Sequence, residues 1–379
     1  MAIVKIKTLT PVHIGSGNKL AWNYDYVSMP LGGGMSELGV IDDRKILELI
    51  GKENIIKWAL SIERGDDTMN FVRQFAPKAK LEDISSRVIE SYCVPSNKND
   101  DLKECIHDGR GIPYIPGSSI KGAIRTAVFT SLISSHDNIQ MPQPRGRNLN
   151  DGDLQRRLFG NDPQSDFLRF IRVGDAYFKD AKAIALRMVM YLNITTDFDM
   201  HPTKDVKPQL IEAIDCDGES SFRLNIEKDL ADFVFSRNSG MRKIPEEINN
   251  IGKLFHLINS HTKNLVSSEI DFWRELSDDG KDGADGYIEE MDNMLSEVNE
   301  CKDGRECVLR LGHASGWRFM TGAWSEDKRF KDGKGQPFFE EVKRYSRPNN
   351  DVCYKNYQFP KSRRAVDDGG LLGFVKLLI

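Results

Sequence analysis

The segment that most constrains the fold is residues 113–128, where a short apolar stretch stops and a helical pattern starts. Its centre reads IPGSSIKGAIRTA, and Pro116 and Gly117 end any strand that precedes them. Ser118 or Ser119 can cap the new helix. Apolar side chains then repeat at helical spacing, at Ile120, Ala123, Ile124, Ala127 and Val128. The sequence therefore predicts a strand, a tight break and an amphipathic helix that begins near residue 117.

Two cations lie near the start of this helix. Lys121 and Arg125 are four residues apart, so they share a helix face where the helix dipole disfavours positive charge. A phosphate bound by free backbone amides, by the hydroxyls of Ser118 and Ser119 and by these cations would satisfy all of these groups without reading a base. The alternative is an ordinary capped helix with two solvated cations.

Composition limits the kinds of site that the chain can carry. Its 379 residues include 53 Lys and Arg against 57 Asp and Glu, a formal net charge of −4, which excludes a uniformly basic nucleic-acid coat. No stretch approaches the ~18 apolar residues of a membrane span, and the N-terminus lacks a signal-peptide core, so we expect a cytoplasmic protein without membrane contact. Six scattered cysteines without a Cys-x-x-Cys pair predict no disulfide framework and no zinc site, and we expect neither metal nor cofactor.

Charge is distributed unevenly along the chain. Residues 278–306 carry eleven acidic and three basic side chains, and we expect this segment to face solvent. Residues 343–364 carry seven basic side chains and one acidic one, with four aromatic rings among them, at Tyr345, Tyr354, Tyr357 and Phe359. Rings beside cations suit base stacking and phosphate neutralisation, which favours a nucleic-acid contact over the alternative of a solvated basic loop.

Three further glycine clusters predict tight turns, at residues 13–17, 311–316 and 367–373. The second continues into Trp317, which could stack on a base, and it is flanked by Arg310 and Arg318, which could bind phosphate. The alternative for this segment is a tight turn anchored by a core tryptophan. No glycine cluster fits the Walker or the Rossmann pattern, so we predict no nucleotide hydrolysis.

The order of elements predicts an α+β fold with two ferredoxin-like units in tandem. Residues 3–9 alternate as a half-buried strand, and residues 210–227 resemble a hairpin around Asp217 and Gly218. The predicted domains are residues 1–200, with a helical insertion at about 42–92, and residues 201–379, with a helical and acidic insertion at about 228–306.

Four segments together resemble the RAMP superfamily of CRISPR-associated proteins. They are TPVHIGSG near the start, IPGSSIKGAIRTA in the middle, RLGHASGW late in the chain and the glycine-rich C-terminal turn. Their order and spacing are similar to the fifth-subunit family of the type III-A Csm effector complex. The resemblance implies tandem RRM-like domains that bind the backbone of the guide RNA (crRNA) beside other RAMP subunits of the complex. It also implies a cap at the guide's 3′ end and a part in 3′-end maturation through recruited host nucleases, in antiviral defence.

The resemblance further implies which residues contact the guide. Those of the first two motifs are Gly15, Ser16, Gly17, Ser118, Ser119, Lys121 and Arg125. The later turns supply further RNA-binding candidates, some of which would serve a neighbouring subunit instead, namely Arg310, Gly312, Gly316, Trp317, Arg318, Gly369, Gly370 and Gly373. His313 departs from the family pattern, in which a small or aromatic residue is expected at this position.

Two other functions stay open. A stand-alone RAMP endoribonuclease that processes repeat RNA would use His13 as general base and Lys121 or Arg125 as the cation, although apolar neighbours flank His13 as they would a packed core histidine. A protein-binding adaptor would instead dock residues 343–364 on an acidic nuclease. We predict a non-catalytic guide-RNA-binding subunit, with no catalytic residue of its own.

Overall fold

A computed structural model describes the chain over residues 1–95, 100–135, 140–143, 149, 151–194, 200–202, 208–237, 241–277, 284–346, 359–360, 362–366 and 369–379. The strands in these ranges are β1 (Ala2–Thr8), β2 (Gly15–Leu20), β3 (Tyr26–Gly32), β4 (Met35–Ile41), β5 (Ser85–Ser91), β6 (Leu102–Cys105), β7 (Tyr114–Ile115), β8 (Ile171–Val173), β9 (Ala176–Tyr177), β10 (Ala183–Ile194), β11 (Met200–Pro202), β12 (Gln209–Ile214), β13 (Glu219–Ile226), β14 (Glu306–Arg310), β15 (Ser362–Val366) and β16 (Phe374–Leu378). The α-helices are α1 (Asp43–Ile50), α2 (Ile55–Arg64), α3 (Thr68–Arg73), α4 (Leu81–Ile84), α5 (Gly117–Ser134), α6 (Gly152–Phe159), α7 (Lys228–Arg237), α8 (Ile251–Ser277), α9 (Asp285–Glu300) and α10 (Phe338–Ser346). The predicted α+β class is confirmed. Within the described ranges, no helix combines the length and apolar character that a membrane crossing requires.

The first sheet has five antiparallel strands in the order β14-β16-β1-β13-β8. In its central strand β1, Val4 and Ile6 are buried and alternate with more exposed residues, as predicted for residues 3–9. They share a core with Ile120 of α5 and Phe255 of α8, so both helices pack against this sheet.

The second sheet runs in the order β2-β6-β12-β10-β5-β4-β3, and β11 and β15 also pair with β10. Helices α1 to α4 pack beside it, where Ile46, Trp58 and Val72 share a core with Val27 of β3. These helices lie in the segment predicted as a helical insertion. The last part of that segment forms strand β5 instead, between β4 and β10.

The chain reverses at Asp217 and Gly218, but the strands on either side belong to different sheets. β12 pairs with β10 and β6 in the second sheet, whereas β13 pairs with β1 and β8 in the first. The hairpin prediction is wrong because a turn signal fixes where a chain reverses and not which strands become its neighbours. Both sheets combine strands from the two sides of residue 200, so a division of the chain there passes through both.

Much of the acidic segment is a packed helix. In α9, Tyr287, Met291 and Val298 are buried, and they share a core with Trp273 of α8. The prediction that residues 278–306 face solvent is therefore wrong for this face of α9, where apolar side chains recur at helical spacing among the acidic ones. Residues 278–283 lie outside the described ranges.

Candidate nucleic-acid interface

Glycine turns that are far apart in the sequence meet where the chain crosses between the two sheets. The amide of Gly373 donates to the carbonyl of Pro11 at 2.9 Å. The amide of Leu311 donates to Gly373 O at 2.8 Å, and the amide of His313 donates to His13 O at 3.0 Å. Backbone hydrogen bonds thus join three predicted turns into one unit, the turn junction, formed by residues 11–17, 311–316 and 369–373.

Glycines in the turn junction have two different physical roles. A β-carbon on Gly312 would lie 2.7 Å from His13 O, and one on Gly373 would lie 2.2 Å from Leu311 O, so close packing requires both glycines. Gly17 (φ +95°) and Gly316 (φ +80°) also need the left-handed region, but they face open space. The first pair holds the junction together, whereas the second pair has open space beside its α-carbons.

The glycines of the junction also differ in exposure. Gly15, Gly17 and Gly312 are exposed, and Gly316 is half-buried. Gly369 is buried and Gly370 is half-buried, so the predicted RNA contacts of the C-terminal turn fall on a packed segment rather than on an open one. The structure therefore favours the first two turns as the accessible part of the junction.

A buried ion-pair network lies beneath the first turn. The fully buried carboxylate of Glu212 accepts hydrogen bonds from Arg87 Nε and Nη2, both at 3.1 Å. Arg87 also donates to Glu104 at 3.0 Å, and Glu104 accepts from Ser16 Oγ at 3.0 Å. Burial would raise the pKa of Glu104, but hydrogen bonds from Asn18, Arg87 and Ser16 hold it below its usual value. This network fixes the position of Ser16, whose hydroxyl proton is engaged within the protein.

His13 is a packed histidine. Its ring is 3% exposed, Nδ1 lies 2.5 Å from the carbonyl of Glu212, and the ring contacts that of His313 edge-on at 5.7 Å. Burial lowers the pKa of His13. A general base for RNA cleavage must reach a 2′-hydroxyl, and this ring is covered, so the geometry agrees with the packing interpretation of the sequence.

The N-terminus of α5 begins where the sequence predicts, but its capping differs. Pro116 occupies the N-cap position, so the prediction that Ser118 or Ser119 caps the helix is wrong. The amide of Gly117 donates to Asp175 Oδ1 at 2.7 Å, which places a carboxylate of the protein where the sequence suggests a phosphate. Ser118 is exposed and Ser119 is half-buried beside this cap.

A carboxylate of the protein also takes the place of the phosphate that the sequence suggests beside Lys121 and Arg125. Arg125 Nη1 lies 2.6 Å from Asp166 Oδ2, and its guanidinium stacks 3.8 Å above the ring of Phe159. Lys121 is half-buried, and burial lowers its pKa. The structure thus corrects the idea of a free cation pair, because Asp166 already neutralises Arg125.

Arg310 is a structural residue rather than an RNA contact. It is 4% exposed, Nε donates to Leu372 O at 3.1 Å, and the guanidinium lies between the rings of Phe319 and Phe374, at 4.6 and 4.7 Å. The prediction of a phosphate contact here is wrong, because the side chain points into the core. Trp317 is half-buried and packs edge-on against Phe359 with ring centroids 5.1 Å apart, close to the predicted alternative of an anchored turn.

Arg318 and Arg363 both bind Glu269, a fully buried carboxylate on α8. Arg318 Nη1 and Arg363 Nη2 each lie 2.8 Å from Glu269 Oε2. Burial would raise the pKa of Glu269, but Arg363 and Arg318 outweigh it and hold this pKa well below its ordinary value. The predicted RNA contact of Arg318 is wrong, since its guanidinium pairs with Glu269 and Glu326.

The basic segment is largely paired where it is described. Lys343 and Arg344 on α10 form ion pairs with Glu340 and Glu341, one turn earlier. Arg363 is in the network of Glu269. Five basic or aromatic residues of the segment lie outside the described ranges, namely Arg347, Tyr354, Lys355, Tyr357 and Lys361.

Two lysines near the turn junction were not predicted from the sequence. Lys19 on β2 lies directly opposite Lys103 on β6. Neither belongs to a motif, and 83 residues of intervening chain hide their pairing, so only the strand register reveals it. The apolar residues Leu102, Cys105 and Ile106 around Lys103 could have marked a buried segment, but not its neighbour.

The chain has relatives among CRISPR-associated proteins. The profile of the RAMP superfamily matches residues 5–368. The chain is 24% identical over 332 residues to "CRISPR system Cms protein Csm5" of Methanocaldococcus jannaschii, covering 84% of this chain and 72% of that protein. A protein of the same name from Enterococcus italicus is 27% identical over 151 residues, which cover 33% of this chain and 42% of the relative.

Solved structures share the fold over the whole chain. A chain in the cryo-EM structure of a Csm-crRNA-target RNA ternary complex of a type III-A CRISPR-Cas system superposes with a TM-score of 0.69 at 18% identity, covering 100% of both chains. The crystal structure of T. onnurineus Csm5 superposes with a TM-score of 0.64 at 17% identity, covering 99% of this chain and 100% of the other.

Proposed function

Because this chain belongs to the RAMP superfamily, we propose that it is a non-catalytic guide-RNA-binding subunit of a type III-A Csm complex. The names of its relatives and the complex that contains a chain of the same fold support this assignment. We further propose that it works in the cytoplasm, caps the guide at its 3′ end beside other RAMP subunits and supports 3′-end maturation with recruited nucleases.

The observation that carries the proposal is the turn junction. Gly17 and Gly316 adopt left-handed conformations with open space beside their α-carbons, and Gly15, Gly17 and Gly312 are exposed. Backbone amides recognise phosphate and sugar without regard to base, which suits a subunit that must accept any guide sequence. It also suits a chain with a net charge of −4, since no uniformly basic surface is needed. Ser16, Ser118, Ser119 and Lys121 stay proposed contacts.

The tandem ferredoxin-like arrangement also stays a proposal. One unit is supported by the first sheet, whose strands and packed helices occur along the chain in the βαββαβ order β1, α5, β8, β13, α8 and β14, with other elements between them and β16 added between β14 and β1 in the sheet. The second unit would have to come from the strands of the second sheet. The domain limits at residues 200 and 201 stay a prediction.

The test is to purify the tagged chain from cells that express the other subunits and a CRISPR array, and to analyse the bound protein and RNA. We expect RAMP subunits and a discrete ladder of guide RNA. Gly312→Val should reduce the RNA that is retained, because the new side chain meets His13 O, whereas Gly333→Val, at a position with open space, should not. A lone, RNA-free protein would refute the proposal.

A second assay separates this function from a ribonuclease. The purified chain is incubated with labelled repeat RNA in EDTA, alongside His13→Ala. We expect no cleavage by either protein, because His13 is covered. Metal-independent cleavage that His13→Ala abolishes would contradict a non-catalytic subunit.

A further inference from the structure

Two like charges face each other beside the turn junction. The Cα atoms of Lys19 and Lys103 are direct cross-strand partners between the edge strand β2 and β6. Like charges in this position destabilise a sheet. Lys103 is half-buried, and its ammonium group donates to the neutral side-chain oxygen of Gln209 at 2.6 Å, which satisfies a hydrogen bond but offsets no charge.

Further cationic or protonatable groups face the same point from other elements. Burial, Arg364 of β15 and Lys19 together lower the pKa of Lys103. Burial, Lys103, His13 and Arg364 lower the pKa of His313 to about 4. The ring of His313 is therefore neutral at pH 7, and Lys103 and Arg364 both oppose its protonation.

Two carboxylates on β6 and its neighbour β12 are already engaged. Glu104 follows Lys103 on β6, but it binds Arg87, Ser16 and Asn18. Glu212 on β12 is fully buried and binds Arg87. The repulsion between Lys19 and Lys103 is therefore a cost of the ligand-free protein that a bound anion would remove.

We propose that Lys19, Lys103 and His313 form a phosphate-binding site for single-stranded RNA that continues the surface of the turn junction. The inference rests on the proposed function, since it names the charges that accompany the exposed residues Gly15 and Gly17. RNA suits the site better than an acidic protein surface, because the lysines adjoin exposed glycines, where a phosphodiester can approach side-chain cations and backbone together.

The experiment measures binding of a fluorescently labelled 30-nucleotide single-stranded RNA to the full chain by anisotropy, from 0.05 to 0.3 M KCl. Lys19→Ala/Lys103→Ala is compared with Lys52→Ala/Lys263→Ala, which removes two exposed lysines elsewhere and changes net charge equally. Two lost phosphate contacts release ~1.4 fewer counterions, so we expect about 25-fold weaker binding at 0.1 M salt and a salt slope flatter by about 1.4. The control pair should leave both quantities near those of the wild type.

Thermal melting distinguishes two roles of Lys19 and Lys103, namely RNA binding and stabilisation of the fold. Because the two lysines repel each other, Lys19→Ala/Lys103→Ala should melt at the wild-type temperature or above it while binding RNA less well. If wild type and both double variants bind RNA equally well, the site is refuted and the proposed function stands. The same conclusion follows if Lys19→Ala/Lys103→Ala loses partner subunits but retains RNA. If wild type binds no RNA even at 0.05 M salt and recovers none in the complex, the proposed function fails and the site fails with it.

Discussion

Gly373→Ala tests whether the turn junction depends on close backbone packing. The new β-carbon would lie 2.2 Å from the carbonyl oxygen of Leu311, well inside van der Waals contact. The residue also has φ +88°, a region that L side chains rarely adopt. Neither problem can be relieved by rotating a side chain, because the opposing atom belongs to the backbone.

The magnitude follows from two contributions. A non-glycine residue in the left-handed region costs about 1–3 kcal/mol. If the backbone moves to avoid the clash, the hydrogen bonds from Gly373 to Pro11 and from Leu311 to Gly373 are lost, at about 0.5–1.5 kcal/mol each. The free energy of unfolding should therefore fall by about 2–6 kcal/mol, a large part of the ~5–15 kcal/mol typical of a folded domain.

Urea unfolding followed by tryptophan fluorescence measures this loss, and Gly335→Ala is the matched control. Gly335 has φ +78° but open space around it, so its substitution should cost only the backbone contribution. We expect Gly373→Ala to be less stable than Gly335→Ala by about 1–3 kcal/mol, the value of the lost hydrogen bonds. Equal losses in the two variants would refute the close-packing argument.

Three other predictions concern charged groups. Glu269→Gln removes the carboxylate shared by two buried arginines and should cost about 3–5 kcal/mol in thermal or urea unfolding, whereas Glu275→Gln, exposed on the same helix, should cost little. Folding lowers the pKa of Glu269, so its contribution to the free energy of unfolding is present above a pH of about 4.5 and is lost as the pH falls. Wild type should therefore lose more stability in acid than Glu269→Gln does. Parallel curves of stability against pH for the two proteins would contradict this. Bound phosphate should raise the pKa of His313, because it offsets the charges of Lys103 and Arg364. RNA affinity should therefore rise from pH 7 to pH 5 in wild type but not in His313→Gln. Equal pH profiles of the two proteins would exclude His313 as a contact. Asp175→Ala should destabilise the protein by about 1 kcal/mol through loss of the α5 cap, and an unchanged melting curve would show that this cap is dispensable.

Features that depend on neighbours in the sequence were predicted well. The alternation of Val4 and Ile6 gave a strand, and Pro116 and Gly117 marked the start of α5. Glycine clusters marked turns because a left-handed or crowded backbone position requires that residue wherever it occurs. Such signals are local, so they can be read without knowledge of the fold.

The charged partners could not be predicted in this way. Arg125 pairs with Asp166, 41 residues away, and Arg363 pairs with Glu269, 94 residues away. The same guanidinium is suited to phosphate or to a buried carboxylate, and only the folded chain shows which anion is within reach. Corrections to the predicted site therefore fall on arginines rather than on the glycines that face open space.

The sequence by itself determined where this chain turns, where its first strand and its helix α5 begin, and to which family its motifs belong. The tertiary structure decided that the turns at residues 11–17, 311–316 and 369–373 form one junction, and that Lys19 lies opposite Lys103. The reason is physical: conformational preference acts between adjacent residues, whereas strand register and charge pairing are set by contacts that exist only after the two sheets have formed.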